Sequence, residues 1–245
     1  MTAPPTLVWI AGHMCDHRLW RDVGKISPYP NTYASITQFD CIEVLAQDVL
    51  ARVAGPIIPM GFSMGAIVAL LMAKKAPERV KGLVLSSTNC TADLPERAVA
   101  RLSQQAQVRD GQLSAIVRDE LKPHYLSPAT QGEKRQDILD LTFKMGMDLG
   151  PDVFLRQSEA LRTRPALCGV ISDFKGHMLV LAGADDTLCP PAWHVAMAAR
   201  NPRANYVEIQ NAGHLVPLEQ PAAFKHAISD WLTNLQTTPK QEMIA

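Results

Sequence analysis

Gly61-Phe62-Ser63-Met64-Gly65 lies between two apolar runs of different character, and its reading decides the fold. Upstream, Pro56-Ile57-Ile58-Pro59-Met60 is short, apolar and β-leaning; downstream, Ala66 to Ala76 is almost unbroken Ala, Leu, Ile, Val and Met until Lys74 and Lys75, and Pro77 stops it. The order is strand, tight turn, buried helix. A serine flanked by glycines at such a turn fits a strained backbone with neighbouring chains pressed against it, where a Cβ would obstruct. Its Oγ then projects from the end of the sheet, near the positive end of the helix, where an oxyanion is stabilised.

Working outward, the same alternation recurs. Thr6-Leu7-Val8-Trp9-Ile10 reads as a strand closed by Ala11-Gly12, with Asp16 placed to cap a helical turn at Leu19, Trp20 and Val23. A short strand is expected within Tyr33 to Phe39. Asp40 and Glu43 have the spacing of a capping box for a helix with apolar positions Ile42, Leu45, Val49 and Val53. Val80 to Leu85, His177 to Ala182 and Ala204 to Ile209 are further strands, with helices over Pro191 to Ala199 and from Pro221 to about Leu235. Short apolar strands alternating with helices predict an α/β fold, a three-layer α/β/α sandwich with a mainly parallel sheet of about six strands. Between Asp93 and Arg164 the strands vanish and helical patterns predominate: one opening at Asp93-Leu94-Pro95-Glu96, then Leu113 to Leu121, Gln136 to Leu149, and Pro151 to Leu161. With no Gly/Ser-rich linker around it, residues 93–164 are expected to form a helical lid inserted into a core of residues 1–92 and 165–245.

Bulk composition narrows the function class. The chain has 245 residues, 47% hydrophobic and 20% charged, enough for one sizeable core. Lys+Arg 24 against Asp+Glu 24 leaves no net field for nucleic acid or anionic membrane, so neither is expected as a partner. Five cysteines at 15, 41, 90, 168 and 189 show no paired framework, and the odd count fits free thiols in a reducing compartment. The amino terminus carries no leader pattern and no run approaches a membrane span, which makes the cytoplasm the expected location.

A serine hydroxyl needs a base, and the base needs an orienting group. Two loops follow strands at the carboxyl edge that carries Ser63: Gly183-Ala184-Asp185-Asp186-Thr187-Leu188-Cys189-Pro190 and Asn211-Ala212-Gly213-His214. Catalytic groups collect at that edge in open α/β sheets, so the order Ser, acid, His is geometrically sensible. These stretches, with Pro217, Glu219 and Pro221 after His214, resemble the α/β-hydrolase superfamily, and more narrowly its small single-domain esterases with a helical lid. The resemblance covers the chain except its tail and is weakest over the lid. It implies Ser63 as nucleophile, His214 as general base and then acid, and Asp186, rather than Asp185, as the carboxylate that orients the imidazole. Asp186 is preferred because the family's acid usually lies three residues after this glycine and four before the proline; Asp185 is then a solvated loop residue. The resemblance also implies an oxyanion hole from the backbone N–H groups of Met64 and His13. The chain departs from the family in Ala11, where a histidine is usual, in Pro59, which removes a ladder donor from the serine strand, and in Ala66, where a third glycine is common.

Within the lid, Phe143, Met145, Met147 and Phe154 are candidates for a flexible acyl pocket, with core packing between lid and sheet the alternative. Arg109, Arg118, Arg156 and Arg162 read as surface charges; one facing the site would favour an acidic substrate. His13-Met14-Cys15-Asp16-His17 lacks the second ligand cluster that a tetrahedral metal site needs, so no metal and no cofactor are expected. Cys15, Cys90 and Cys189 read as small buried hydrophobes. The function expected from the resemblance is hydrolysis of a small-molecule carboxylic ester or thioester through an acyl-enzyme. Alternatives are a ligand-binding or receptor-like protein on the same fold, or a lactonase, C–C hydrolase or acyltransferase using the same three residues.

Overall fold

The computed structural model describes residues 4–237 apart from Asp22, Lys25 and Ser27. Their strands, β1 (Thr6–Ile10), β2 (Asn31–Ala34), β3 (Ile57–Phe62), β4 (Gly82–Ser86), β5 (His177–Gly183) and β6 (Ala204–Ile209), form one sheet in the order β2-β1-β3-β4-β5-β6. Every neighbouring pair is parallel. The continuous apolar runs follow from coverage on both faces. In β1, Val8 and Ile10 join the cluster beneath α1 (Ile42–Arg52) and α2 (Met64–Lys75), whereas Leu7 and Trp9 join the one on the opposite side. Met178 and Val180 against Leu179 and Leu181 divide β5 the same way. Helix α2 is buried from Met64 to Ala73, which explains its lack of a polar face.

Pro59 leaves a trace in the ladder. The β3 and β4 pairings jump from Ile57↔Val80 to Met60↔Val84, so three steps on one strand face four on the other. The missing donor of Pro59 falls inside that bulge, the place where a sheet tolerates proline. Two sequence expectations need correction. The second strand is Asn31–Ala34 rather than within 33–39; Asn31 is fixed by accepting a 2.8 Å hydrogen bond from Trp9 Nε1. The N-cap of α1 is Cys41, not Asp40, and Glu43 accepts from the Cys41 thiol at 3.2 Å.

Between β4 and β5 the chain is helical: α3 (Pro95–Arg109), the single turn α4 (Leu113–Ala115) continuing as a π-turn over Ile116–Leu121, a 3-10 turn over Lys122–Tyr125, and α5 (Gly132–Arg162). Gly150, at φ 79°, breaks α5 just before Pro151, which is why the sequence reads as two helices there. Short α6 (Cys168–Asp173) leads to β5, and α7 (Pro191–Ala198), α8 (Val216–Glu219) and α9 (Pro221–Thr237) complete the layers. Among the described residues no helix is long and apolar enough to cross a membrane.

The cysteine expectation also changes. Cys90, after β4, and Cys168, at the start of α6, form a disulfide across a separation of 78 residues, leaving Cys15, Cys41 and Cys189 as thiols. The pairing is invisible in sequence because the whole helical block lies between the partners. A bridge closing so long a loop restricts the unfolded chain, so Cys90→Ser is expected to lower stability by about 2–4 kcal/mol. Urea unfolding of the oxidised protein and the variant measures the difference.

Candidate active site

The backbone at Ser63 is left-handed, with φ 51° and ψ −115°, and the flanking glycines show why the chain accepts it. A Cβ at Gly65 would stand 2.1 Å from the Ile10 carbonyl oxygen and 2.6 Å from that of Ala11; one at Gly61 would stand 2.4 Å from Ala66 Cα. Both glycines are demanded by close approach rather than by flexibility. Ser63 N–H continues the ladder to the Ser86 carbonyl at 2.8 Å, and the Ser63 carbonyl accepts from Thr88 Oγ1 at 3.0 Å. The serine is thus gripped by its neighbours on the sheet edge.

His214 lies in the loop after β6 and Asp186 in the loop after β5. Ser63 Oγ is 3.0 Å from His214 Nε2, and His214 Nδ1 is 2.9 Å from Asp186 Oδ2. With Asp186 ionised, Nδ1–H donates to the carboxylate and Nε2 is left to accept the serine proton. The other Asp186 oxygen accepts from the amides of Leu188 at 2.9 Å and Cys189 at 2.8 Å. Burial pushes the Asp186 carboxyl up, but the His214 charge and hydrogen bond and the Cys189 amide outweigh it and hold the group below the ordinary range. The imidazole lies between the rings of Phe62 and Tyr125, at 5.2 and 5.1 Å between centroids, and its own backbone N–H donates to the Tyr125 carbonyl at 2.7 Å.

Met64 and His13 line the same small cavity as Ser63, about 70 Å³ in volume. Asp185 is exposed and its carboxylate accepts from Ser127 Oγ at 2.5 Å, so it fastens the helical block to the core instead of facing His214. Phe143, Met145, Met147 and Phe154 do not line this cavity. Phe154 and Met145 are fully buried, the first against the His13 ring at 5.1 Å and the second in the cluster beneath β1. Phe143 and Met147 pack at the edge of the helical block's own cluster, with Arg118 stacked over Phe143. These apolar side chains pack within the helical block and against the core.

Asp186, Cys189 and His214 have ligand atoms within 4.8 Å of one another. Each is otherwise committed: both imidazole nitrogens and both carboxylate oxygens are engaged, and burial pushes the Cys189 thiol up to about 12. The carboxylate of Asp16, in the other cluster noted above, is clasped by Arg18.

Residues 18–227 match the model of the alpha/beta hydrolase family. The chain belongs to that family. It is 22% identical over 192 residues to the mouse sn-1-specific diacylglycerol lipase ABHD11, covering 72% of this chain and 59% of that one. It is 27% identical over 192 residues to a proline iminopeptidase from Lactobacillus delbrueckii subsp. lactis, covering 71% and 64% respectively. The chain therefore spans less than two thirds of the length of these relatives. A thermophilic esterase from Thermogutta terrifontis, solved with malate bound, superposes with a TM-score of 0.84 at 24% identity over 97% of this chain and 92% of that one, a likeness of fold.

Several supports for this family site carried no warning in sequence. Buried Gln157 of α5 accepts the Met14 amide at 2.8 Å and donates to the Ile36 carbonyl at 3.1 Å, steadying the loop that carries His13. Buried His194 accepts the Thr88 amide at 2.9 Å, and burial holds its imidazole below the usual range, in keeping with an accepting nitrogen. Glu219, marked in sequence only as part of the motif, is fully buried and accepts from the amides of Ser127 at 2.7 Å and Gly213 at 2.9 Å and from Thr130 Oγ1 at 2.8 Å. Glu219→Ala would leave these donors dry and unpaired, at about 1–3 kcal/mol each. We expect a loss of at least about 3 kcal/mol, read from the denaturant midpoint, with Glu219→Gln intermediate because one acceptor oxygen remains.

Proposed function

We propose that the chain is a serine hydrolase that cleaves a small carboxylic ester or thioester through an acyl-enzyme. The observation that carries the reading is the unbroken hydrogen-bond chain from Ser63 through His214 to Asp186 on one rim of a parallel sheet. In this reading Ser63 Oγ attacks the carbonyl carbon as its proton passes to His214 Nε2, and Asp186 stabilises the resulting imidazolium. On the same reading the amides of Met64 and His13, residues that line the same cavity as Ser63, hold the oxyanion. Collapse expels the alcohol or thiol, protonated by His214, and leaves Ser63 acylated. Water activated by His214 then repeats the sequence and releases the acid.

The cavity of about 70 Å³ favours a short acyl group, since larger ligands occupy roughly 300 Å³ or more. We infer that residues 93–164 form a helical cap fastened over the site: Tyr125 contributes to the cavity wall, and its carbonyl holds the His214 amide.

Ser63→Ala is expected to cut turnover of a p-nitrophenyl ester by about 10⁴-fold or more while substrate binding persists. A fluorophosphonate probe should label the wild-type protein at Ser63. Wild-type turnover by the alanine variant would refute the assignment, and tight ligand binding without any labelling would favour the receptor-like alternative.

A further inference from the structure

The wall of the cavity facing Ser63 carries three arginines, none of them among the four singled out from the sequence: Arg97, Arg101 and Arg164. Arg97 and Arg101 lie one turn apart on α3 and so share a face; Arg164 follows the end of α5. Two of them, Arg101 and Arg164, meet a single carboxylate. Asp93 is almost wholly buried, with side-chain exposure of 1%, and its two oxygens are 2.9 Å from Arg101 Nε and 2.7 Å from Arg164 Nη1. Arg164, with side-chain exposure of 3%, also donates to the carbonyls of Thr91 and Leu161. Arg97 has a neutral acceptor, the Leu188 carbonyl at 2.8 Å, and lies over the Trp193 ring at 5.4 Å from its centroid. Against the carboxylates of Asp93 and of Asp186, the latter held by the Leu188 and Cys189 amides of the same wall, three guanidinium charges leave an excess of one positive charge beside the nucleophile.

A structural staple would need only part of this. Asp93 bridging Arg101 and Arg164 joins the two ends of the helical block, and one arginine would serve. A partly buried cationic excess is costly unless an anion relieves it, and each guanidinium presents five donors, of which the contacts above use one each in Arg97 and Arg101 and up to three in Arg164. Arg101 keeps its terminal Nη groups beyond the Asp93 contact, and Arg97 turns its cation to the cavity wall while braced by an aromatic ring. At Cys189 burial and the Asp186 charge push the thiol up while Arg97 and Arg164 oppose them, and at Tyr125 Arg101 and Arg97 oppose the effect of burial.

We propose that this cavity takes a substrate with a free carboxylate, a short half-ester or half-thioester of a dicarboxylic acid, with Arg97 and Arg101 holding the anion while Ser63 acts at the other end. This rests on the hydrolase reading above and specifies its substrate class. Asp93 and Arg164 are positioning residues: they set the angle of Arg101 and keep α3 against the site. Arg97 has a second link, because the Leu188 it grips also donates its amide to Asp186, so turnover alone would mix anion binding with alignment of the acid.

Binding is therefore the deciding measurement. Calorimetric titration of the full chain with succinate and with its uncharged counterpart succinamide, at neutral pH and low salt, reads the contribution of carboxylate charge at fixed size. Succinate is expected to bind at least about tenfold more tightly than succinamide, the factor associated with one charge-assisted hydrogen bond. That preference should weaken as salt rises, fall about tenfold in Arg97→Gln and in Arg101→Gln, and return in part in the lysine variants. Equal binding of the two ligands by the wild-type protein overturns the proposal, even if a glutamine variant fails to fold; so does a preference that survives unchanged in both glutamine variants. The outcomes separate from those of the hydrolase reading. Phosphonate labelling of Ser63 without succinate preference removes only the anion site, whereas succinate preference without labelling removes only the hydrolase.

Discussion

The contact on which the site depends is the one between the end of β1 and the start of α2. With the carbonyls of Ile10 and Ala11 pressed where a side chain at 65 would begin, α2 approaches the sheet more closely than any L-residue with a Cβ permits. That approach has two consequences. It forces the turn at Ser63 into φ 51°, aiming Oγ out of the sheet edge. It also brings the loop after β1 beside the helix N-terminus, so that His13 and Met64 line one cavity. Strain at a single residue persists because the packing of strand and helix on both sides over-determines it.

Parallel pairing supplies the remaining members of the group. All six strands deliver their carboxyl ends to one rim, yet β6 lies three strands from β3, and His214 must reach back across β5 and β4. Cross-ties make that reach rigid: the Ala184 amide donates to the Ile209 carbonyl and the Asp185 amide to that of Ala212, both at 2.9 Å. The loops after β5 and β6 thus form one unit, which fixes the separation of Asp186 and His214. Phe62, at the end of β3, packs on the imidazole and relates that unit to the serine strand.

What the sequence discloses follows from range. Strand and helix identities rest on local period, so β1, β3, β5 and β6, the break at Gly150-Pro151, and the Ser, Asp, His order were all readable. The exceptions are instructive. Asp40 has the right spacing for a cap, but the Cys41 thiol satisfies Glu43 instead, a competition that spacing does not reveal. Cys90 and Cys168 looked solitary because the fold, not the chain, makes them neighbours. Phe143 and Met147 have the composition of an acyl pocket, and composition alone does not say which side of a helix faces a cavity. The same holds for the arginines: Arg156 donates to the Thr37 carbonyl and Arg162 pairs with Glu159, while Arg97 and Arg101, on the helix read from Asp93, line the cavity of the serine. Gln157 and His194 act through contacts 121 or more and 106 residues away in sequence, beyond any local signal.

These long-range contacts bear on what the helical block is. A mere cover would touch the core through apolar surface and come away without cost to the site's backbone. Here Gln157 accepts the amide next to His13 on one side of the cavity, and the Tyr125 carbonyl accepts the amide of His214 on the other. Glu219 then binds the Ser127 and Gly213 amides together, so one buried carboxylate ties the block to the loop of the base. Lifting α5 and the segment after Tyr125 as a body would strip acceptors from several buried amides at once, at about 1–3 kcal/mol each. Those parts of the block belong to the frame of the site as much as the sheet does. The geometry of Ser63 and His214 is consequently a joint property of the core and the helical block, since hydrogen bonds from both hold the walls of a single cavity.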